Sequence, residues 1–235
     1  MGIKHCGKST QGKLLAAHFS CPFFDTDDEV TALTGKTPRE LYVQQGKNAF
    51  MQAEAQVCKQ LSARFSVDAA DSRLASAPSA LACAAKEPLQ TAFSCVIATG
   101  GGIANNEPAL QALASCGVLV FLQADEKLAC DRIIREISFD EAGALKNAPA
   151  YIASEHPATL ADVRAIFHRF YEERTALYTA RCNITVQMTS LPPEQNRERI
   201  LQALRTLLGA TVHNYKHNQL VAGEPAVFQR RVCDW

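Results

Sequence analysis

The chain has 235 residues, of which 47% are hydrophobic and 20% are charged, and its formal net charge is zero. This composition is typical of a folded globular protein and excludes a disordered or fibrous one. At this length, one domain with insertions is the simplest organisation. The basic residues are scattered, which argues against partners such as nucleic acid or an anionic membrane. No apolar run of 18 residues and no export signal occur, so we expect a cytoplasmic protein.

Nine cysteines are spread along the chain without a CxxC pair or another metal-ligand spacing. An odd number of cysteines in a chain without an export signal predicts reduced thiols, most of them small buried apolar residues. Cys6 differs from the others because it lies inside the first motif of the chain.

That motif is GIKHCGKST, residues 2–10, which matches the phosphate-loop pattern GxxxxGK[ST]. In such a loop the backbone N–H groups form an anion-binding concavity, Lys8 adds a positive charge at the outer phosphates, and the Ser9 hydroxyl can hold Mg²⁺. The residues KSTQGKLLAAHF have helical spacing, so a helix should start at the lysine. The predicted nucleotide-binding residues are Gly2, Cys6, Gly7, Lys8, Ser9 and Thr10.

The stretch CPFFDTDDEV is a short apolar run that ends in aspartates, which predicts a strand with carboxylates at its carboxyl end. Asp25 and Asp27 follow the phosphate loop by one helix and one strand. At that place one carboxylate can order metal-bound water and another can accept the proton of an attacking hydroxyl. The plainer alternative is a solvated acidic start of a helix.

The next predicted helix begins at an N-cap, Thr37, followed by Pro38 at the first helical position, and it breaks at Gly46. Residues 64–93 are rich in Ala and Ser and have no firm periodicity. We interpret them as an insertion.

Two continuous apolar runs, FSCVIATGGG and CGVLVFLQA, predict strands that are buried on both faces, with a crossover helix between them. Alternation of strands and helices indicates an α/β fold, with a parallel sheet between helices on both sides. In such sheets ligands bind beyond the carboxyl ends of the strands, where Gly100, Gly101 and Gly102 fall. Glycines there let backbone amides approach a ligand closely.

The C-terminal half continues with the amphipathic helix DEKLACDRIIREI and a polar stretch, residues 138–157, of the kind that forms a mobile cover. A long helix, the strand CNITVQM and a final helix follow. Residues 209–235 show no clear pattern and are predicted to be a flexible extension of a domain that spans residues 1–208.

Four stretches of the chain occur in the order and spacing of shikimate kinases: GIKHCGKST, FFDTDDEVTALTGKTPRELYVQQGKNAF, VIATGGGIA and ERTALYTARCNITV. The resemblance covers about residues 1–62 and 94–208. It implies a three-layer P-loop kinase fold like that of nucleoside-monophosphate kinases, with a central five-stranded parallel sheet and a lid. It also implies ATP-dependent phosphorylation of the 3-hydroxyl of shikimate, in the biosynthesis of aromatic amino acids, by a monomer.

The resemblance also implies roles for individual residues. Lys8 would hold the phosphates, Ser9 the magnesium ion and Asp25 its water shell, while Asp27 would orient or deprotonate the shikimate hydroxyl. Gly100, Gly101 and Gly102 would line the shikimate site. Arg174 would pair with the shikimate carboxylate, which agrees with the planar fork that a carboxylate needs. Arg132 matches the arginine that stacks on adenine.

The chain departs from the family pattern in three places. Met51 stands where the family has an arginine that clamps the substrate carboxylate, although Phe50 and Glu54 around it are kept. Ala148 stands where the lid usually carries an arginine that reaches the transferring phosphoryl group, and Lys146 is the nearest cation. Finally, the strand that leads into the phosphate loop, central in this fold, is missing before Gly2, which should leave two strands unpaired.

Two alternatives remain open on the sequence. Met51 and Ala148 also fit a kinase of the same fold that acts on another small hydroxyl compound. A nucleotide-binding protein with impaired catalysis is the other alternative.

Overall fold

The computed structural model describes residues 1–65, 93–140 and 145–221. Most of the predicted insertion, part of the predicted lid and the last residues of the predicted extension lie outside these ranges. The helices are α1 Lys8–Phe19, α2 Thr26–Thr34, α3 Pro38–Phe65, α4 Glu107–Cys116, α5 Glu126–Glu136, α6 Ala150–Ala153, α7 Leu160–Arg181 and α8 Pro193–Val221. The strands are β1 Phe23–Asp25, β2 Val96–Ala98, β3 Val120–Gln123, β4 Ser138–Phe139, β5 Leu145–Lys146 and β6 Ile184–Gln187.

The helix starts follow from capping residues that the sequence provides. Thr37 and Glu40 exchange hydrogen bonds at the start of α3, with the Thr37 backbone N–H donating to Glu40 Oε2 over 2.9 Å. Thr159 and Asp162 form the same capping box at α7. Gly46 has φ 85° and ψ 173° and breaks α3, as the sequence predicts. At the other end of the chain, α8 continues past Gly209, where the predicted extension begins, to Val221.

The strands form two parallel pairs. In the first pair Phe24 of β1 lies opposite Ile97 of β2, and in the second Phe121 of β3 lies opposite Thr185 of β6. Helix α7 packs against β3, α8 packs against β6, and α1 packs against β2. Parallel strands with packed helices agree with the predicted α/β fold. The short strands β4 and β5 pair antiparallel within the predicted lid.

A cavity of about 760 Å³ separates β2 from β3, and we call it the slot. Its walls come from both strands and from the helices that cover them. The apolar lining residues include Leu15 and Phe19 of α1, Leu110 and Leu113 of α4, and Ile200 and Leu204 of α8. The slot therefore interrupts the described core between the two strand pairs.

Met1 closes one end of the slot with the hydrogen bonds of a parallel ladder. Its amino group donates to the Val120 carbonyl over 2.8 Å, and its carbonyl accepts from the Leu122 N–H over 2.9 Å. Burial lowers the pKa of this amino group to about 5, so the position suits a neutral N–H better than an ammonium group. Met1 thus occupies the place of a strand residue between the two pairs, as expected of the strand that leads into the phosphate loop.

Backbone alternation shows which groups face the slot. The Val96 N–H donates to Pro22 in the direction of β1 over 3.0 Å. Ile97 therefore presents its N–H and carbonyl to the slot. On the opposite side, the Val120 N–H and the Val118 carbonyl are the next groups along β3 after those that Met1 uses.

In the described part of the chain, no helix has the length and hydrophobicity required to cross a membrane.

An extension of about five apolar residues, alternating Val and Ile and joined to the Met1 amine, should fill the slot as a parallel strand. We expect it to raise the free energy of unfolding by at least about 3 kcal/mol, because it buries several β-branched side chains. Denaturant unfolding measures the gain, and hydrogen exchange should show new protection at the Val120 and Ile97 amides.

The matched control carries proline at the second residue before Met1. That residue would otherwise donate its N–H to the Val118 carbonyl, and proline has no N–H. Equal stabilisation by the two extensions would show that the slot does not accept a strand in this register.

Candidate active site

The phosphate loop, residues 2–10, is held close to β3. A β-carbon on Gly2 would lie 2.6 Å from the Leu122 carbonyl oxygen and 2.7 Å from Cys6 Sγ, and the φ of Gly2 is +152°. Only glycine fits these contacts. Lys8 folds back over the loop, where its Nζ donates to the Ile3 carbonyl over 2.8 Å. This hydrogen bond joins the two ends of the loop.

Ser9 and Asp25 meet at the mouth of the loop. The Ser9 hydroxyl donates to Asp25 Oδ2 over 2.7 Å. The other oxygen of Asp25 accepts from the backbone N–H of Asp27 over 3.1 Å and caps α2. The carboxylates of Asp25 and Asp27 line a cleft of about 290 Å³ together with Lys8, Ser9 and Thr10.

This donor set fits a magnesium ion. Mg²⁺ prefers hard oxygen ligands and takes only one or two carboxylates from a protein that also binds phosphates. Ser9 Oγ and Asp25 Oδ2 are oxygens that already lie side by side at the phosphate loop. In residues 1–65, 93–140 and 145–221, no cluster of three or more His, Cys, Asp or Glu side chains could hold a metal by itself.

Asp27 and Glu54 converge on Gly100 from two helices. A β-carbon on Gly100 would lie 2.9 Å from Asp27 Oδ1 and 3.0 Å from Glu54 Oε1. The Gly100 N–H donates to the buried Thr26 hydroxyl over 2.9 Å, which fixes the turn. Burial and the nearby Asp25 carboxylate raise the pKa of Asp27, and Lys8 opposes this effect.

Glu54 is the most deeply buried carboxylate of the site, with only 1% of its surface exposed. Asn106 donates through Nδ2 to Glu54 Oε2 and to the Met51 carbonyl, each over 2.8 Å. Glu54 Oε1 has no hydrogen-bond partner among the described residues. Burial raises the pKa of Glu54 to about 7, and the Asp27 carboxylate adds to this effect. Among the described residues no Lys or Arg side chain forms an ion pair with Glu54, and the nearby Met51 is an uncharged thioether.

Arg174 lies on α7 next to the 3₁₀ turn Ile103–Asn105 that follows the glycines. With its amide oxygen turned toward α7, Asn105 accepts from Arg174 Nη1 over 3.1 Å and from Nη2 over 2.9 Å. The guanidinium carbon lies 5.1 Å from the centroid of the Phe170 ring. Within the described ranges no carboxylate forms an ion pair with Arg174, so its charge is available to an anion.

One face of α7 connects the parts of the site. Phe170, Arg174 and Tyr178 follow each other at four-residue spacing and share that face. The buried Tyr178 hydroxyl donates to the Gly101 carbonyl over 2.9 Å and lies 3.3 Å from the Gly2 carbonyl. It therefore ties the glycine turn to the start of the phosphate loop.

Arg132 lies on α5 at the other side of the phosphate loop. Its Nη1 donates to the His5 carbonyl, while His5 and Lys4 both approach Glu136 of the same helix. Arg132 is therefore held against the phosphate loop. The exposed Gly102 makes no close approach that a β-carbon would block.

The structure thus brings the predicted site residues to one side of the molecule, at the carboxyl ends of β1 and β2. Sequence reasoning did not assign a role to Asn105, Asn106 or Tyr178. The position of Tyr178, one helical turn after Arg174, was the available signal for its role. Asn105 and Asn106 gave no such signal, because their partners are distant in the sequence.

A Glu54→Gln variant should lose a pH dependence of stability that the parent protein shows. With a folded pKa of about 7 against 4.5 for the unfolded group, the folded protein binds the proton more tightly. The contribution of Glu54 is therefore fully present below pH 4.5 and is lost as the pH rises through 7. At about 1.4 kcal/mol per pKa unit, the loss is about 3 kcal/mol. Denaturant unfolding between about pH 4.5 and pH 8 measures it.

A Glu40→Gln variant is the matched control, because Thr37 lowers the pKa of this exposed carboxylate and its titration lies below the range measured. It should keep the slope of the parent protein. Identical slopes for the parent protein and the Glu54→Gln variant would mean that Glu54 does not hold the proton.

Comparison with known proteins identifies the family. The family model for shikimate kinase matches residues 4–69 and 82–205. The shikimate kinase of Desulforudis audaxviator is 28% identical over 193 residues, covering 82% of this chain and 78% of the relative. That of Pelotomaculum thermopropionicum is 26% identical over 215 residues, covering 92% of this chain and 95% of the relative.

Solved structures agree with this fold. A shikimate kinase from Acinetobacter baumannii in complex with shikimate aligns with a TM-score of 0.62 at 21% identity, covering 87% of this chain and 90% of that chain. The predicted three-layer P-loop kinase fold is thereby confirmed. With a family model that matches most of its length, the chain belongs to the shikimate kinase family.

Proposed function

We propose that this chain transfers the γ-phosphoryl group of ATP to the 3-hydroxyl group of shikimate. The observation that carries the proposal is the placement of Asp27 between two anion-binding ends. The phosphate loop with Ser9 and Asp25 lies on one side. Arg174, which forms no ion pair with a carboxylate of the described residues, lies beyond the glycine turn on the other. A substrate with both a hydroxyl and a carboxylate matches this arrangement.

At the nucleotide end, the loop amides and Lys8 bind the phosphates. Lys8 Nζ holds the Ile3 carbonyl in the present structure and can exchange this bond for a stronger one to a phosphate oxygen. When bound, Mg²⁺ would be held by Ser9 and Asp25 and would offset the charge of the phosphate oxygens. Arg132 would stack on the adenine.

At the acceptor end, Asp27 orients the 3-hydroxyl and accepts its proton. The pKa of Asp27 is raised and therefore lies closer to the pKa of a base that works near neutral pH. Gly100, Gly101 and Gly102 present backbone groups beside it, and Arg174 pairs with the carboxylate of the substrate. We further propose that residues 138–157 close over ATP and that the protein acts as a monomer in the cytoplasm without nucleic-acid or membrane partners.

Purified protein should convert shikimate in the presence of ATP and magnesium.

Asp27→Asn should lower kcat by about 100-fold or more, because the hydroxyl loses its proton acceptor. Lys8→Ala should lower kcat to a similar extent by removing charge at the phosphates. A coupled assay of ADP release measures both. Full activity of the Asp27→Asn variant would contradict the assigned role, and absence of turnover by the parent protein would contradict the proposed reaction.

One observation favours a second candidate, a kinase of the same fold that acts on another small hydroxyl compound. Met51 puts a thioether on the helical turn that precedes Glu54, where the family pattern has an arginine. A substrate panel distinguishes the two, since phosphorylation of a neutral polyol with shikimate ignored would favour this alternative.

A Met51→Arg variant should bind shikimate more tightly. The new guanidinium would lie one helical turn from Glu54 and would bind this buried carboxylate with part of its five N–H donors, leaving the others for two hydrogen bonds to the substrate carboxylate. We expect KM for shikimate to fall by about tenfold, with the pKa of Glu54 returning toward its ordinary range. Steady-state kinetics between about pH 6 and pH 8 test both effects.

Met51→Leu is the control, because it keeps the size and apolar character of the side chain. A KM that falls equally in both variants would show that charge is not the cause. An unchanged KM in Met51→Arg would place the shikimate carboxylate away from α3.

A further inference from the structure

Asn105 joins the glycine turn to Arg174. Its backbone N–H donates to the Gly102 carbonyl over 3.0 Å, which places the residue directly after the turn. Its side-chain oxygen accepts from both Nη atoms of Arg174, over 3.1 and 2.9 Å, in the amide orientation that satisfies both side chains. The exposed Asn105 therefore reaches across from the substrate-binding turn to α7.

A second contact, with Phe170 of the same helix, restricts the side chain of Arg174. The guanidinium lies over the Phe170 ring. That ring is itself stacked on Tyr151 of α6, with centroids 3.7 Å apart and planes at 9°. The arginine side chain is thus held between a fixed aromatic face and a two-bond acceptor.

We propose that Asn105 is a positioning residue that selects for a carboxylated substrate by fixing the guanidinium of Arg174. A guanidinium has five N–H donors, and Asn105 uses two of them. The remaining donors point along a direction that the asparagine sets. This inference deepens the proposed function and rests on it for the identity of the anion, the carboxylate of shikimate.

The neutrality of asparagine matters for this role. A carboxylate at this place would fix the guanidinium equally well, but it would also neutralise the charge that the substrate needs. Because Asn105 already orients Arg174, the arginine loses less rotamer freedom when the substrate binds. Because Met51 supplies no charge, binding of the carboxylate depends on Arg174 more than it would with two arginines.

Three proteins test the proposal: the parent protein, Asn105→Ala and Asn105→Asp. The substrates are shikimate and its methyl ester, which lacks the negative charge. For Asn105→Ala we expect KM for shikimate to rise by about tenfold with kcat nearly constant. The preference for shikimate over the ester, taken as the ratio of kcat/KM values, should fall by a similar factor. Asn105→Asp should lower this preference at least as far.

A readout without substrate separates this proposal from the proposed function. In ¹H–¹⁵N spectra of guanidinium groups, the Arg174 signal, assigned with Arg174→Lys, should show restricted rotation in the parent protein and in Asn105→Asp. The restriction should be lost in Asn105→Ala. If KM for shikimate falls in Asn105→Ala, the asparagine is a competitor for the arginine and the proposal is wrong. Equal losses for shikimate and ester, or an unchanged Arg174 signal, would also overturn it, whereas a parent protein that turns over neither substrate would contradict the proposed function.

Discussion

The two hydrogen bonds between Met1 and β3 hold the phosphate loop on the sheet. They fix the residue that precedes Gly2, and the tight contacts of Gly2 with Leu122 and Cys6 follow from that placement. Because the loop then turns into α1 at Lys8, the direction of the first helix and the position of Ser9 depend on the same bonds. The slot lies directly beside this attachment, so the most tightly defined part of the site borders the least filled part of the core.

The charges of the site are only partly paired. Lys8 shares the cleft of the phosphate loop with Asp25 and Asp27, whereas Arg174 has no carboxylate partner among the described residues. Glu54 forms no ion pair among the described residues, and burial raises its pKa to about 7. An arginine at position 51 would therefore change the protonation of Glu54 as well as the number of cations, because a buried carboxylate is either paired or neutral.

Much of the fold could be predicted from the sequence, because local rules agree with the tertiary structure. Thr37, Pro38 and Gly46 mark the start and the break of α3. The apolar runs around Val96 and Val120 form parallel strands, although Val96, Ile97 and Val120 are only half-buried and not covered on both faces as predicted. The phosphate-loop motif places Ser9 at the start of α1, and the apolar run before Asp25 places that carboxylate at the end of β1, but their hydrogen bond is visible only in the structure.

The parts of the site that were not foreseen depend on contacts between distant segments. Asn106 binds Glu54 across 52 positions, and Tyr178 binds Gly101 across 77 positions. Asparagine and tyrosine are common residues with many roles, so no local pattern marks them. Helix α8 also differs from the prediction. The segment after Gly209 has no clear sequence pattern, yet it continues the preceding helix to Val221.

The face of α7 that carries Phe170, Arg174 and Tyr178 fixes the distances between three parts of the structure. Eight residues at 1.5 Å per residue separate its ends by about 12 Å. The three side chains contact Tyr151 of α6, Asn105 after the glycine turn, and the start of the phosphate loop. Inserting or deleting one residue inside this span would rotate everything beyond it by about 100° around the helix axis. Two of the three attachments cannot then be made together, which should make this stretch of α7 intolerant of any change in length.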